Sequence, residues 1–153
     1  MGLDMYLDRE TYVKNWDFMK PEERHEITLT KGGKPMDINV TKIKAIVEEV
    51  GYWRKANAIH KWFVDNIQEG KDDCGRYYVS KENLVELRDL CKRVLQDKDN
   101  AQTLLPPEEG FFFGGTEINQ YYFDDINHTI ESIEKLLAMP FIDDLSFEYH
   151  SSW

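Results

Sequence analysis

The sequence predicts an α+β fold in which three to four helices pack on a small, mostly antiparallel sheet. Apolar residues alternate with polar ones near both ends of the chain, at residues 3–7 and 145–149, as in half-buried strands. Between them, residues 84–95 and 122–137 carry apolar side chains at the spacing of amphipathic helices. A chain of 153 residues is long enough to form one domain, 1–153, around a single core.

The first elements are predicted from alternation and turn signals. In MGLDMYL, Leu3, Met5 and Leu7 share one face of a strand whose other face is polar. Pro21 followed by two glutamates indicates a single helical turn. The alternating HEITLT, the turn sequence KGGKP and the following MDINV together predict a hairpin.

Two consecutive helices are predicted in the middle of the chain. Thr41 is the expected N-cap of the first, which runs to Gly51 with apolar side chains every three or four positions. The second is predicted over residues 52–68 and ends near Gly70. Its apolar stripe consists of Tyr52, Ala56, Ile59 and Phe63.

The second half of the chain is predicted to combine short strands with two well-patterned helices. The polar turn in KDDCGRYYV leads into a short extended piece, after which Ser80 caps a helix that continues to Leu95. FFFGG, residues 111–115, is short and apolar, which indicates a buried strand that ends in a flexible turn. The helix over 122–137 stops before Pro140, and the final alternating segment closes the chain as a strand.

The net charge of −10 is concentrated in the last third of the sequence. Residues 1–96 carry 17 basic and 17 acidic side chains, whereas residues 97–153 carry 12 acidic ones and only Lys98 and Lys135 as cations. Such a surface repels nucleic acid and anionic membranes, so we expect no direct binding to either. It could attract a basic protein by resembling DNA, and a solvated face that keeps the protein soluble explains it as well.

The sequence is typical of a soluble, cytoplasmic protein. No apolar run approaches the roughly 20 residues that a membrane-spanning helix needs. The acidic start, MGLDMYLDRE, lacks the basic and then apolar order of a signal peptide. For such a chain we expect Cys74 and Cys91 to be reduced thiols, with Cys91 on the apolar face of its helix.

The candidate binding site lies in GYWRKANAIHKWF, residues 51–63. On one continuous helix, Trp53, Asn57 and His60 would share a face bordered by cations. An aromatic plate can stack on a base, and the guanidinium of Arg54 can pair with an anionic oxygen. We therefore expect the segment to line the largest polar pocket and to bind a ring that bears a phosphate. The expected ligand-binding residues here are Tyr52, Trp53, Arg54, Asn57 and His60.

FFFGG supplies the expected second wall of this site, with Phe113 and Gly114 facing the ligand. Glycines let a backbone approach a ligand closely. The stretch is not a phosphate loop, because no Lys-Ser or Lys-Thr pair follows it. A purely structural interpretation stays open for both walls: Trp53 as a core residue, His60 as a hydrogen-bonded core histidine, and FFFGG as a core strand.

Signatures of enzymes and metal sites are sparse. The sequence contains no C-x-x-C, H-E-x-x-H or G-x-S-x-G. Asp124, Asp125 and His128 have the spacing of a metal half-site, but acidic residues at a helix start are expected from the helix dipole alone. We therefore predict no metal and no cofactor.

Several stretches taken together resemble a family of small proteins from bacteriophage and prophage genomes. They are MGLDMYL, EEVGYWRKANAIHKWFVDN, DDC…YYVS, FFFGG and the terminal SSW, and they span nearly the whole chain. The resemblance implies an accessory phage protein that works in the cytoplasm of a bacterial host. It implies no particular activity, but small phage proteins of this kind often counter host defence, so counter-defence is expected by analogy.

Two functions of different classes follow. The first is a binding module that sequesters a small anionic ligand, such as a nucleotide immune signal. The second is an acidic inhibitor of a host defence protein, or DNA mimic, that acts through Asp124, Asp125, Asp143 and Asp144.

A nucleotide-acting enzyme with His60 as general acid or base is a weaker third function, so a non-enzymatic role is favoured. Binders that sequester a ligand are often homo-oligomers because their sites form between protomers, and several aromatic residues expected at the surface would permit such an assembly. These are Tyr77, Tyr78 and Trp153.

Overall fold

The computed structural model describes residues 2–153, with the side chain of Asp144 outside the description. Over this range the chain forms the predicted α+β fold, with four α-helices, a four-stranded antiparallel sheet and a separate two-stranded hairpin. The strands are β1 (Asp4–Tyr12), β2 (Thr30–Lys31), β3 (Lys34–Pro35), β4 (Ala45–Arg54), β5 (Tyr77–Val79) and β6 (Ser146–Ser152). The helices are α1 (Asn57–Asn66), α2 (Lys81–Gln96), α3 (Ala101–Leu104) and α4 (Gln120–Leu137).

The main sheet has the strand order β4-β1-β6-β5, and every neighbouring pair is antiparallel. As predicted, β1 buries alternate residues: Met5 and Leu7 are fully buried while Tyr6 between them is not. In β6, Phe147 and Tyr149 face the same core. The helices cover this face. The largest fully buried side chains include Leu3 just before β1, the strand residues Met5, Leu7, Phe147 and Tyr149, and the helix residues Ile59, Phe63, Leu84, Leu87, Ile126 and Ile133.

Both well-patterned helices are present: α2 has its predicted cap, and α4 begins two residues before the predicted start at 122. Ser80 caps α2: its hydroxyl accepts from the Asn83 backbone N–H at 3.1 Å, and Asn83 Oδ1 accepts from the Ser80 N–H at 3.0 Å. Asn119 caps α4 by accepting from the backbone N–H of Tyr122 at 3.3 Å. Both caps satisfy backbone donors that a helix leaves free in its first turn.

The helix predicted from Thr41 to Gly51 is wrong, because this segment enters strand β4. Residues 45–54 pair along the whole length of β1, from Tyr12 opposite Ala45 to Asp4 opposite Arg54. Gly51 marks a close approach and not a helix break. A β-carbon there would lie 3.0 Å from the ring of Trp53 and 3.2 Å from Leu7 Cβ, in the region where the ladder shifts register.

Two other predictions need correction. The helix expected over 52–68 begins only at Asn57, since Tyr52 to Arg54 complete β4. FFFGG forms a turn and not a buried strand: Phe111 is 94% exposed, and only Phe113 of the three phenylalanines is buried. The predicted hairpin exists, but its strands are two residues each.

Between β1 and β4 the chain makes a long excursion, residues 14–44, which we call the arm. It contains the β2–β3 hairpin and the predicted helical turn Pro21–Glu23. None of its residues is buried.

Both cysteines are free thiols, as predicted, with Cys74 exposed and Cys91 buried. Burial raises the pKa of the Cys91 thiol to about 12, so it stays protonated in the folded protein at neutral pH. Within residues 2–153, no helix is long and apolar enough to cross a membrane.

Candidate functional site

A cleft of about 430 Å³ opens at the end of the sheet where β1 starts and β4 finishes. It exceeds two shallower depressions of about 350 and 340 Å³ elsewhere on the surface. The start of α1 and the start of α4 form its walls, and the loop with Gly114 and Gly115 closes one side. This volume lies in the range of ordinary small-molecule sites.

The first wall is the start of α1, which has no side-chain cap. Lys55 takes up a left-handed conformation (φ +57°) as the chain turns out of β4, and its N–H donates to the Leu3 carbonyl at 2.8 Å. The N-cap residue is Ala56, which has no side-chain acceptor to offer. The backbone N–H groups of Ala58 and Ile59 therefore meet no acceptor among the described residues. Free N–H groups at a helix start favour an anion.

Two cations stand beside these N–H groups. Arg54 and Lys55 both line the cleft, and the Arg54 side chain is 61% exposed. Arg54 has one ion-pair partner at the outer limit, with Nε 4.0 Å from Asp4 Oδ1. That Asp4 oxygen also accepts from the Tyr52 hydroxyl at 2.5 Å, which raises the pKa of Tyr52. Lys55 has no ion-pair partner among the described side chains, so its charge is available to a ligand.

Asn57 stabilises the first wall of the cleft through its side-chain amide. Its Nδ2 donates to the carbonyl oxygens of Phe113 at 3.0 Å and Gly115 at 2.8 Å, and its Oδ1 accepts from the Glu108 backbone N–H at 3.1 Å. The side chain is buried and all three of these contacts are to backbone. Gly114 between the two carbonyls has φ +87°, a conformation that favours glycine. Asn57 thus fixes the glycine loop against α1.

The opposite wall is acidic and belongs to α4. Asp124 and Asp125 line the cleft together with Glu117 from the preceding loop. Burial raises the pKa of Asp125 to about 6; the charge of Asp124 adds to this rise, and His128 opposes it. The cleft is therefore bipolar, with cations and free N–H groups on one wall and carboxylates on the other.

The structure brings three of the predicted ligand-binding residues to this cleft. Arg54, Asn57 and Gly114 are among its lining residues. Tyr52 lies elsewhere, on the solvent side of β4, where it contacts Tyr6. The remaining three, Trp53, His60 and Phe113, are buried in the core.

Trp53 does not share a helix face with Asn57 and His60, because it lies on β4 whereas they lie on α1. Trp53 donates from its indole nitrogen to Thr129 Oγ1 on α4 at 2.9 Å. His60 lies 2.7 Å (Nδ1) from the Tyr149 hydroxyl and 3.0 Å (Nε2) from Asp72 Oδ2, and it is fully buried. Phe113 packs edge-on against the imidazole at 5.2 Å. The expected common face of Trp53, Asn57 and His60 is wrong, and the structural interpretation holds for Trp53 and His60.

Sequence reasoning missed the acidic wall as part of the same site. It associated Asp124 and Asp125 with a metal half-site or a decoy surface, since nothing local brings α4 beside α1. It also treated Lys55 only as a border of a helical face. The signal that was available was Asn119, which caps α4 and so fixes where this helix, with Asp124 and Asp125 in its second turn, begins.

In the part of the chain that the structure describes, no group of three or more His, Cys, Asp or Glu side chains is arranged to hold a metal ion. Comparison with known proteins found no matching protein-family model, no matching curated protein and no matching solved structure.

Proposed function

We propose that the protein is a binding module for a small anionic molecule, which it holds in the bipolar cleft. The observation that carries this proposal is the combination of Arg54, Lys55 and the uncapped start of α1 on one wall. Charge-assisted hydrogen bonds from a guanidinium and from backbone N–H groups are strong interactions for a phosphate oxygen. Gly114 lets the ligand approach the backbone closely on the adjoining side.

The acidic wall of the cleft suits a ligand whose remaining part carries hydrogen-bond donors. Asp124 and Asp125 offer acceptors, and the ring of Tyr121, 80% exposed, lies at the edge of the cleft. A nucleotide has these features: a phosphate, a flat ring that stacks and an exocyclic amine that donates. The resemblance to phage proteins supports a specific role for such binding. In that role the protein sequesters a nucleotide immune signal in the cytoplasm of a bacterial host and so counters host defence.

The alternative, an acidic inhibitor or DNA mimic, has weaker support. Two of the carboxylates that it would use already have partners within the chain. Asp143 is largely exposed but pairs with Lys81 Nζ at 2.5 Å, and Asp124 accepts from Gln120 Nε2 at 2.7 Å. An enzyme that uses His60 finds no support, because His60 is fully buried and does not line the cleft.

Isothermal titration calorimetry with adenosine monophosphate, inorganic phosphate and adenosine tests the proposal. We expect the monophosphate to bind, free phosphate to bind more weakly, and adenosine to bind weakest because it lacks the anion. Native mass spectrometry of protein purified from bacterial cells should in addition show a retained small molecule. No heat from any of the three probes, together with no retained small molecule, would overturn the proposal, and a retained host protein would favour the inhibitor.

A further inference from the structure

The arm, residues 14–44, has no core of its own. Its strands are two residues each, and its side-chain hydrogen bonds stay within the arm, as in the paired contacts of Asn15 and His25 at 2.8 Å. Within residues 2–153, its backbone hydrogen bonds to the rest of the chain are confined to its base, where the Val13 N–H donates to the Lys44 carbonyl at 2.9 Å. Large apolar side chains are nevertheless exposed along it, namely Trp16, Phe18, Leu29, Met36, Ile38 and Val40.

Such a segment gains little from ordering unless another surface covers it. A two-stranded hairpin is marginal in water, and fixing each backbone residue costs roughly 1 to 2 kcal/mol. A cluster of exposed apolar side chains on one segment is typical of a contact surface.

The charges of the arm identify the chemistry of the partner. The arm carries seven Lys and Arg and five Asp and Glu, whereas the rest of the chain carries 12 and 24. Across residues 2–153, no charged side chain of the arm forms an ion pair with another described side chain. At the tip, Lys31 and Lys34 flank the Gly32–Gly33 turn. The partner should therefore be acidic and partly apolar.

A surface of that kind exists on this chain, at the end of the sheet remote from the arm. Tyr121, 80% exposed, and Glu117 line the cleft, and the exposed Glu109 and Phe111, the latter 94% exposed, lie on the loop between the lining residues Pro107 and Gly114. The arm leaves the sheet at the Tyr12 end of β1, and the cleft lies at the Asp4 end. Eight residues of strand separate the two ends by about 27 Å. The complementary surfaces are thus placed for contact between two copies.

We infer that the arm of one copy docks on the cleft end of a second copy, and that the two form a closed twofold dimer. Strand β4 lies at the edge of the sheet and has β1 as its only strand neighbour in the described chain. When two copies lie side by side with their β4 strands antiparallel, each arm lies beside the end of the partner that holds the cleft. The two contacts are then equivalent, and the assembly closes without free arms.

Sedimentation equilibrium of the full chain tests this inference with a charge swap. Variant one carries Lys31→Glu and Lys34→Glu, and variant two carries Glu109→Lys and Glu117→Lys. We expect the wild type to be dimeric at low salt and to dissociate as salt rises. Each variant alone should be monomeric because its arm and cleft end repel each other. An equimolar mixture should recover a heterodimer, in which both contacts are again between opposite charges.

Circular dichroism of each variant checks that the body remains folded, and recovery in the mixture excludes misfolding as the cause of dissociation. A wild-type protein that is monomeric at every concentration would overturn the inference. Variants that dimerise as well as the wild type would also overturn it. A monomeric protein whose arm binds anionic phospholipid vesicles would assign the arm to a membrane surface instead.

Discussion

Asn57 holds Gly115 in place, with its side-chain nitrogen 2.8 Å from the glycine carbonyl oxygen. The same side chain satisfies the Phe113 carbonyl and the Glu108 N–H, so one amide joins three loop positions to the start of α1. The cation-bearing wall of the cleft and the glycine loop are therefore one unit.

The first prediction concerns this amide. Asn57→Ala leaves three backbone groups without their partner, and we expect the free energy of unfolding to fall by about 2 to 4 kcal/mol. Urea denaturation measures the loss. Asn66→Ala is the matched control: Asn66 is an exposed residue on the same helix whose amide makes one hydrogen bond, to the Trp62 carbonyl at 2.8 Å, and its loss should cost less than about 1 kcal/mol. Equal losses in the two variants would contradict the structural role of Asn57.

The second prediction concerns Arg54 in ligand binding. Arg54→Ala removes a charge-assisted pair with the ligand's anion, so binding of adenosine monophosphate should weaken by about 2 to 4 kcal/mol, roughly 30- to 1000-fold. Stability should hardly change, since the Arg54 side chain is 61% exposed. Arg93→Ala, an exposed arginine on α2 that does not line the cleft, is the control and should leave binding unchanged.

The same experiment separates the two leading functions. For a cleft-binding protein, neutralising Asp143 and Asp144 should leave nucleotide affinity unchanged. For an acidic decoy, this double change should weaken inhibition of the host protein while Arg54→Ala has no effect, and high salt should weaken inhibition strongly.

The third prediction follows from the raised pKa of Asp125. In the folded protein this carboxyl keeps its proton up to about pH 6, whereas in the unfolded chain it releases it near pH 4. Between these pH values the folded state binds more protons than the unfolded chain, so the free energy of unfolding falls as pH rises through this window. Above about pH 6 the loss is complete and stays constant. Asp125→Asn should therefore raise the free energy of unfolding at pH 7.5 by on the order of 1 to 2 kcal/mol.

At pH 4 this gain should disappear, because the wild-type carboxyl is then neutral in the folded protein. Urea denaturation at the two pH values measures the difference. Asp124→Asn is the control: Asp124 is exposed at the start of α4, and its neutralisation should slightly lower stability. A gain for Asp125→Asn of the same size at both pH values would show that burial of the charge is not its cause.

The fourth prediction concerns the buried chain of hydrogen bonds from Asp72 through His60 to Tyr149. Tyr149→Phe leaves His60 Nδ1 without a partner in the core, which should cost about 1 to 3 kcal/mol of unfolding free energy. Tyr78→Phe removes a hydroxyl from a side chain that is 65% exposed and should cost almost nothing. Nucleotide affinity of folded Tyr149→Phe should equal that of the wild type, since the chain of hydrogen bonds lies outside the cleft.

The sequence predicts the fold well wherever an element is specified by its own residues. The alternation in β1 and β6 and the capped helix after Ser80 are local features, and the structure confirms them. Residues 43 to 50 are different, because their apolar spacing fits a helix while their β-branched residues suit a strand. Pairing with β1 decides between the two, and that contact is not encoded locally.

The same distinction explains what could be predicted of the site. Arg54, Asn57 and Gly114 were expected from residue type, and they do line the cleft. The face predicted to unite Trp53, Asn57 and His60 depended on a helix start at residue 52, five residues before the observed start at Asn57. The acidic wall depends on α4 packing beside α1, and no pattern within either helix reports that packing.

The position of β6 in the sheet has a kinetic consequence. This strand lies between β1 and β5, and its register joins residues as far apart in sequence as Asp4 and Ser152. Bringing such distant segments together requires closure of a long loop before any ladder hydrogen bond forms, which slows folding. Until that happens, β5 has no strand to pair with, and the edges of β1 and β5 that β6 will occupy stay open. Newly made chains should therefore pass through a stage in which chaperones or aggregation compete with β6 for these edges.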